Sequence, residues 1–138
     1  MSSAFLLDTC AAIWMTKSEP LAEKALAALA DAKAAQLPVF VSAVTAWEMA
    51  MLLARGRIRE TKSAERWYND FRLEADIDEQ PVTANIFMAS CSLPQLIHKD
   101  PIDRILIATA RENDLTIITR DRAILSYGAA GHVRTLAC

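Results

Sequence analysis

An α/β fold, with helices covering both faces of a short parallel sheet, is what this sequence predicts, and three observations predict it. Residues 4–7 (AFLL), 39–41 (VFV) and 115–119 (LTIIT) are short, continuous apolar or β-branched runs, the pattern of strands buried on both faces. Segments with helical period lie between them. Asp8 follows the first run directly and Asp121 lies two residues beyond the last, which puts acids at the carboxyl ends of strands, where open α/β sheets bind their ligands.

The elements follow in chain order. Residues 9–15 start the first helix, and residues 19–35, rich in Ala, Leu and Lys, form a second by propensity and period. Leu37 and Pro38 close it, and Pro38 leads into the second strand. Ser42 caps a third helix running to about Leu53. Within it Val44, Trp47, Glu48 and Met51 share the face made by three- and four-residue spacing, which makes Glu48 a lone carboxylate on an apolar stripe. Such a group needs a basic partner, a proton or a metal to offset its burial. A basic, glycine-containing turn at residues 55–59 ends the helix.

Residues 63–75 predict an amphipathic helix with Trp67, Phe71 and Ala75 inward, residues 79–82 a third strand or an extended loop, and residues 83–91 another helix. The segment HKDPIDRILIATARENDLTIITRDR then carries the densest signal. Asp100 is an N-cap, Pro101 fits the first helical position, and Asp103 lies in the first turn beside unpaired backbone donors. Ile102, Ile105, Leu106 and Thr109 form the packing face, Asn113 and Asp114 break the helix, and Asp121 caps a further short one.

The chain has 138 residues, 53% of them hydrophobic, with three glycines, five prolines and no internal repeat or linker, so residues 1–138 predict one domain. Three widely spaced cysteines without a CxxC pair exclude a disulfide framework or a zinc site and suit reduced thiols, with Cys10 and Cys91 expected in the core. The start MSSAFLLDTC lacks a basic segment ahead of its apolar run, and no stretch reaches membrane-spanning length, so a soluble cytoplasmic protein is expected. A net charge of −2 gives no general attraction to polyanions; a nucleic acid must be met by a local basic patch or through bound cations.

Asp8, Glu48, Asp103 and Asp121 are the candidate chemistry. Each also has a structural reading: Asp8 and Asp121 as strand-to-helix caps, Asp103 as a first-turn acid suited to the helix dipole, Glu48 as the edge of its stripe. Taken together, the α/β order brings strand ends to one edge, where converging carboxylates repel unless cations sit between them. An all-oxygen set selects Mg²⁺ or Mn²⁺ over zinc or copper. His98 has no evident partner in the sequence and is read as a hydrogen-bonded structural histidine.

The segments FLLDTCAAIW, SAVTAWEMAMLLARGRI, HKDPIDRILIATA and LTIITRDRAI, in this order and at these intervals, resemble a PIN-domain ribonuclease, most closely the VapC-type toxins of toxin–antitoxin systems. The resemblance covers nearly the whole chain and implies a three-layer α/β/α sandwich. It implies a metal-dependent endoribonuclease leaving a 5′-phosphate and a 3′-hydroxyl, with Asp8, Asp103 and Asp121 as ligands of Mg²⁺ or Mn²⁺ and Glu48 as a further ligand or the positioner of the attacking water. Asp100 and Thr119 match neighbours that line the same pocket. Arg104, Arg120 and Arg122 are nearest in sequence and are candidates for RNA-phosphate contacts.

Two other readings compete. A Mg²⁺-dependent phosphatase expects a second acid two residues after a nucleophilic Asp, where Cys10 stands; a non-catalytic PIN-like module that binds RNA or a partner expects a lost acid, and all four are present. The resemblance further implies a cognate antitoxin. The apolar excess, with Trp14, Trp47 and Trp67 all in helices, leads us to expect a homodimer and an antitoxin tail lying near Trp14 and Trp47, with an Arg placed against the carboxylates.

Overall fold

The computed structural model describes residues 4–95 and 98–138; the single-domain expectation for 1–138 extends over residues 1–3, 96 and 97, which lie outside them. Among the described residues five parallel strands form one sheet: β1 (Phe5–Leu7), β2 (Val39–Ser42), β3 (Asp78–Gln80), β4 (Thr116–Thr119) and β5 (Arg134–Ala137), in the order β3-β2-β1-β4-β5. The helices described connect and cover them: α1 (Thr9–Thr16), α2 (Glu23–Ala34), α3 (Ala43–Ala54), α4 (Ala64–Ala75), α5 (Ala84–Ser90), α6 (Pro101–Asn113) and α7 (Arg122–Ala129).

The alternation of side chains along the central strands builds the two helical layers. Leu7, Val39, Val41 and Ile118 pack with Ala11 and Ala12 of α1, Ala25 and Ala32 of α2, and Trp67 and Phe71 of α4. Their strand neighbours Leu6 and Ile117 point the other way, into Ile86 of α5, Ile105 and Leu106 of α6 and Ile124 of α7. Leu6, Leu7, Ile117 and Ile118 are completely buried, each worth about 1.5–3 kcal/mol relative to exposure. The α/β/α sandwich is therefore the observed architecture, with β1 and β4 at its centre.

Several boundaries differ from expectation for local reasons. Helix α2 begins at Glu23 rather than at residue 19, because Ser18 adopts a left-handed φ of 56° and Pro20 follows it. Strand β3 is Asp78–Gln80, one residue earlier than expected and shorter. Strand β5 was not anticipated at all: RTLA has a charged first residue and no long apolar run, as suits an edge strand. It is held by register with β4 (Thr119 opposite Ala137) and by α7, which lies so close that a Cβ at Gly128 would meet Thr135 Oγ1 at 2.5 Å.

Two core expectations are corrected. Cys10 and Cys91 are exposed and only Cys138 is buried. In α3 the buried residues are Val44, Thr45 and Met49, whereas Trp47 is 57% exposed and Glu48 and Met51 are half-buried. This helix is apolar on nearly every side, so its period alone cannot select the inward face; the Thr45 hydroxyl, 2.9 Å from that of Thr9, turns it toward α1. Trp67 is core, as expected.

Candidate active site

Register is what gathers the acids. Leu7 pairs with Ile118, so the next residues, Asp8 and Thr119, emerge side by side at the carboxyl edge of the sheet. Asp8 caps α1 by accepting from the Ala11 N–H at 2.7 Å through Oδ1, and its Oδ2 accepts from the Thr119 hydroxyl. Thr119 Oγ1 in turn accepts from the Asp121 N–H at 2.9 Å, and Asp121 Oδ1 caps α7 by accepting from Ile124 N–H at 2.9 Å. A single buried hydroxyl thus links the two strand-end acids. Asp8 and Asp121 are both helix caps, as the capping reading expects, and they share one hydroxyl.

Asp103 arrives from α6, whose start is fixed by Asp100 accepting from Ile102 N–H at 2.9 Å, with Pro101 next. His98 Nε2 lies 2.7 Å from Asp103 Oδ2. Ligand atoms of His98, Asp103 and Asp121 all lie within 4.8 Å of one another, which puts a histidine into a cluster expected to be all-oxygen. In HKDPID this histidine stands five residues before the acid on the loop leading into α6, a spacing that does not by itself pair the two.

Electrostatics extend the cluster. Burial, and then Asp100 and Asp121, push the Asp103 carboxyl up to about 6 against the pull of His98. Hydrogen bonding to Asp103 raises His98. Asp8 is raised by burial and further by Asp121 and Glu48, with Thr119 and Ala11 opposing. Cys10, although exposed, has its thiol pushed up to about 11 by partial burial and then by Asp8, Glu48, Asp103 and Asp121. The charges of all four acids therefore bear on Cys10 in the first turn of α1. Asp8 and Glu48 stand outside the His98–Asp103–Asp121 trio itself.

The three arginines differ. Arg104 donates to the carbonyls of Ser90 at 2.7 Å and His98 at 3.0 Å, tying α6 to the end of α5 and to the loop that carries His98. Arg120 donates to the carbonyls of Cys138 at 2.7 Å and Pro20 at 2.9 Å, and its guanidinium lies 3.9 Å from the Trp14 ring centroid. Arg122 is exposed at the first position of α7.

Residues 5–129 match the PIN domain family. The chain belongs to that family. It is 29% identical over 122 residues, 88% of this chain and 90% of the relative, to Ribonuclease VapC22 of Mycobacterium tuberculosis. Its fold is similar to a chain in the crystal structure of VapBC2 from Rickettsia felis bound to a DNA fragment from their promoter, with a TM-score of 0.72 at 11% identity over 98% of both chains. It is also similar to a chain of VapBC-5 from Mycobacterium tuberculosis, a member of the VapBC family of toxin-antitoxin systems, with a TM-score of 0.64 at 21% identity over 99% of this chain and 100% of that one. Among the described residues no helix is long and apolar enough to cross a membrane.

Proposed function

We propose that this PIN-domain chain is a divalent-metal-dependent endoribonuclease, using Mg²⁺ or Mn²⁺, and the toxin of a type II toxin–antitoxin pair. The observation that carries the reading is the Asp103–Asp121–His98 cluster beside buried Asp8, in a chain whose relative is named a ribonuclease. The residues fit a hard divalent ion. Carboxylate oxygens dominate the donor set, and the upward shift of Asp103, caused by burial and by neighbouring carboxylates, marks a charge excess that a cation would relieve.

Asp8, Asp103 and Asp121 would hold the ion directly or through water. Thr119 and Ala11 fix the Asp8 carboxylate in place before anything binds, and His98 orients Asp103. Glu48, on α3, serves as a further ligand or positions the attacking water. A bound ion supplies a water of lowered pKa and neutralises charge on the phosphoryl oxygens. Arg122 meets flanking RNA phosphates; Arg104 and Arg120 contribute mainly through the backbone carbonyls they hold. Asp100 shapes the pocket as the cap that starts α6.

The VapBC names of the structural relatives support an antitoxin partner, and we place the pair in the cytoplasm as part of the same reading. Exposed Trp47, Phe87, Met88 and Leu73 support a homodimer and a docking place for the antitoxin tail at Trp47; Trp14 is already faced by Arg120. Purified chain incubated with RNA and Mn²⁺ should give fragments with 5′-phosphate ends, and expression of the adjacent reading frame should suppress both cleavage and toxicity. Undiminished cleavage in excess EDTA would contradict the metal-centred reading, and toxicity unchanged by any adjacent gene would contradict the toxin role.

A further inference from the structure

Beside the acid cluster lies a cavity of about 550 Å³, between Gln95, His98 and Lys99 on one side and the outer face of α7 with His132 on the other. His98 belongs to both places: it lines the cavity and its Nε2 meets Asp103 at 2.7 Å. The far wall is a stacked aromatic pair, Tyr127 and His132, with ring centroids 4.6 Å apart and planes inclined by 24°. Tyr127 is locked by its hydroxyl, which donates to the Pro94 carbonyl at 2.6 Å, so the wall is set before anything enters. Ala123 and Ala130 leave room beside it.

We propose that this cavity seats one unpaired nucleobase of the RNA, adjacent to the phosphate that is cut. The inference rests on the ribonuclease reading for its placement and on the cavity's own chemistry for the ligand. Single-stranded RNA is read by aromatic stacking together with hydrogen bonds to base edges. The His132 ring, backed by buried Tyr127, supplies the stacking surface, the Gln95 amide and Ser126 hydroxyl supply donors and acceptors, and Lys99 supplies a charge for a phosphate at the rim. The volume lies within the range of ordinary ligand sites, roughly 300–1,000 Å³, and has room for a base and its sugar.

The test separates binding from cleavage. The ¹⁵N-labelled chain, without metal, is titrated with each of the four nucleoside 5′-monophosphates while amide resonances are followed. We expect shifts at Lys99, Ser126 and His132, with one base favoured, and their loss in Ser126→Trp, which fills the cavity from an exposed helix position. His132→Ala, which removes the outer half of the wall, should weaken the same response and serves if the tryptophan variant does not fold. On RNA, the same variants should lose about tenfold or more in kcat/KM, the order of one base stack, together with the sequence preference at one position next to the cut. Absence of shifts at these amides with all four nucleotides, or shifts indifferent to both substitutions, overturns the proposal and leaves the cavity to a protein partner. Nucleotide-dependent shifts in a protein that cuts no RNA would instead refute the ribonuclease reading and leave the base site standing.

Discussion

Replacing Thr119 by valine keeps the shape of a completely buried side chain and removes one oxygen. That oxygen donates to Asp8 Oδ2 and accepts from the Asp121 N–H, so its loss leaves a buried carboxylate oxygen and a strand-end amide unpaired. At about 1–3 kcal/mol for each buried unpaired group, partly relieved by proton uptake at Asp8, the expected loss is about 2–4 kcal/mol of stability. For a chain of this size that corresponds to a drop in Tm on the order of 10 °C. The assay is urea unfolding of metal-free protein for wild type, Thr119→Val and Thr119→Ser, read from the midpoint at unchanged slope. Serine retains the hydroxyl and should recover most of the difference; valine should also cut RNA poorly in Mn²⁺, because Asp8 and Asp121 lose their common anchor. A valine variant within about 0.5 kcal/mol of wild type, or one no worse than serine, would refute the view that Thr119 links the two acids.

Other consequences follow from the same geometry. Asp103 is raised from 3.8 to about 6, so its contribution to the stability of the metal-free protein should be complete below pH about 4 and be lost as pH rises through 6, while the contribution of His98, raised from 6.5, is complete below 6.5 and is lost only at higher pH. Asp103→Asn should flatten that profile in pH-dependent urea unfolding. Mn²⁺ should raise Tm more strongly above pH about 6 than below it, since Asp103 must lose its proton to bind; an equal effect at both would contradict this. Asp8→Asn should abolish cleavage without destabilising the metal-free fold, because burial and neighbouring acids already disfavour the charge; thermal melts and cleavage gels read the two effects separately. Arg120→Ala removes donors to Cys138 and Pro20 and the contact with Trp14, and should cost about 1–3 kcal/mol by urea unfolding while Arg122→Ala leaves stability unchanged.

The central strands and most helix starts were legible because burial on both faces and capping write directly into residue type: AFLL and LTIIT could hardly be surface segments, and Asp100, Ser42, Ser63 and Thr83 all cap the helices they precede. Strand β5 was not legible, since an edge strand owes its existence to pairing with β4 and to the close approach of α7, neither of which is local. The inward face of α3 was misread because its apolar residues surround the helix and only the Thr9–Thr45 contact orients it. Cys10 has the small apolar character of a core residue, yet it lies in the first turn of α1 at the exposed edge where the acids gather. The acids themselves were nameable from the ends of strands and helices. The place of His98 was not, because its partner Asp103 comes within reach only through the loop that Arg104 holds in place.

Whether these carboxylates hold a divalent ion can be read from anomalous diffraction of a crystal soaked in Mn²⁺. We expect a peak among Asp8, Asp103 and Asp121, with at least one oxygen of Asp103 or Asp121 in direct coordination and the peak abolished in Asp121→Asn crystals. A soaked crystal with no density there, or with manganese bound only elsewhere on the surface, would contradict it.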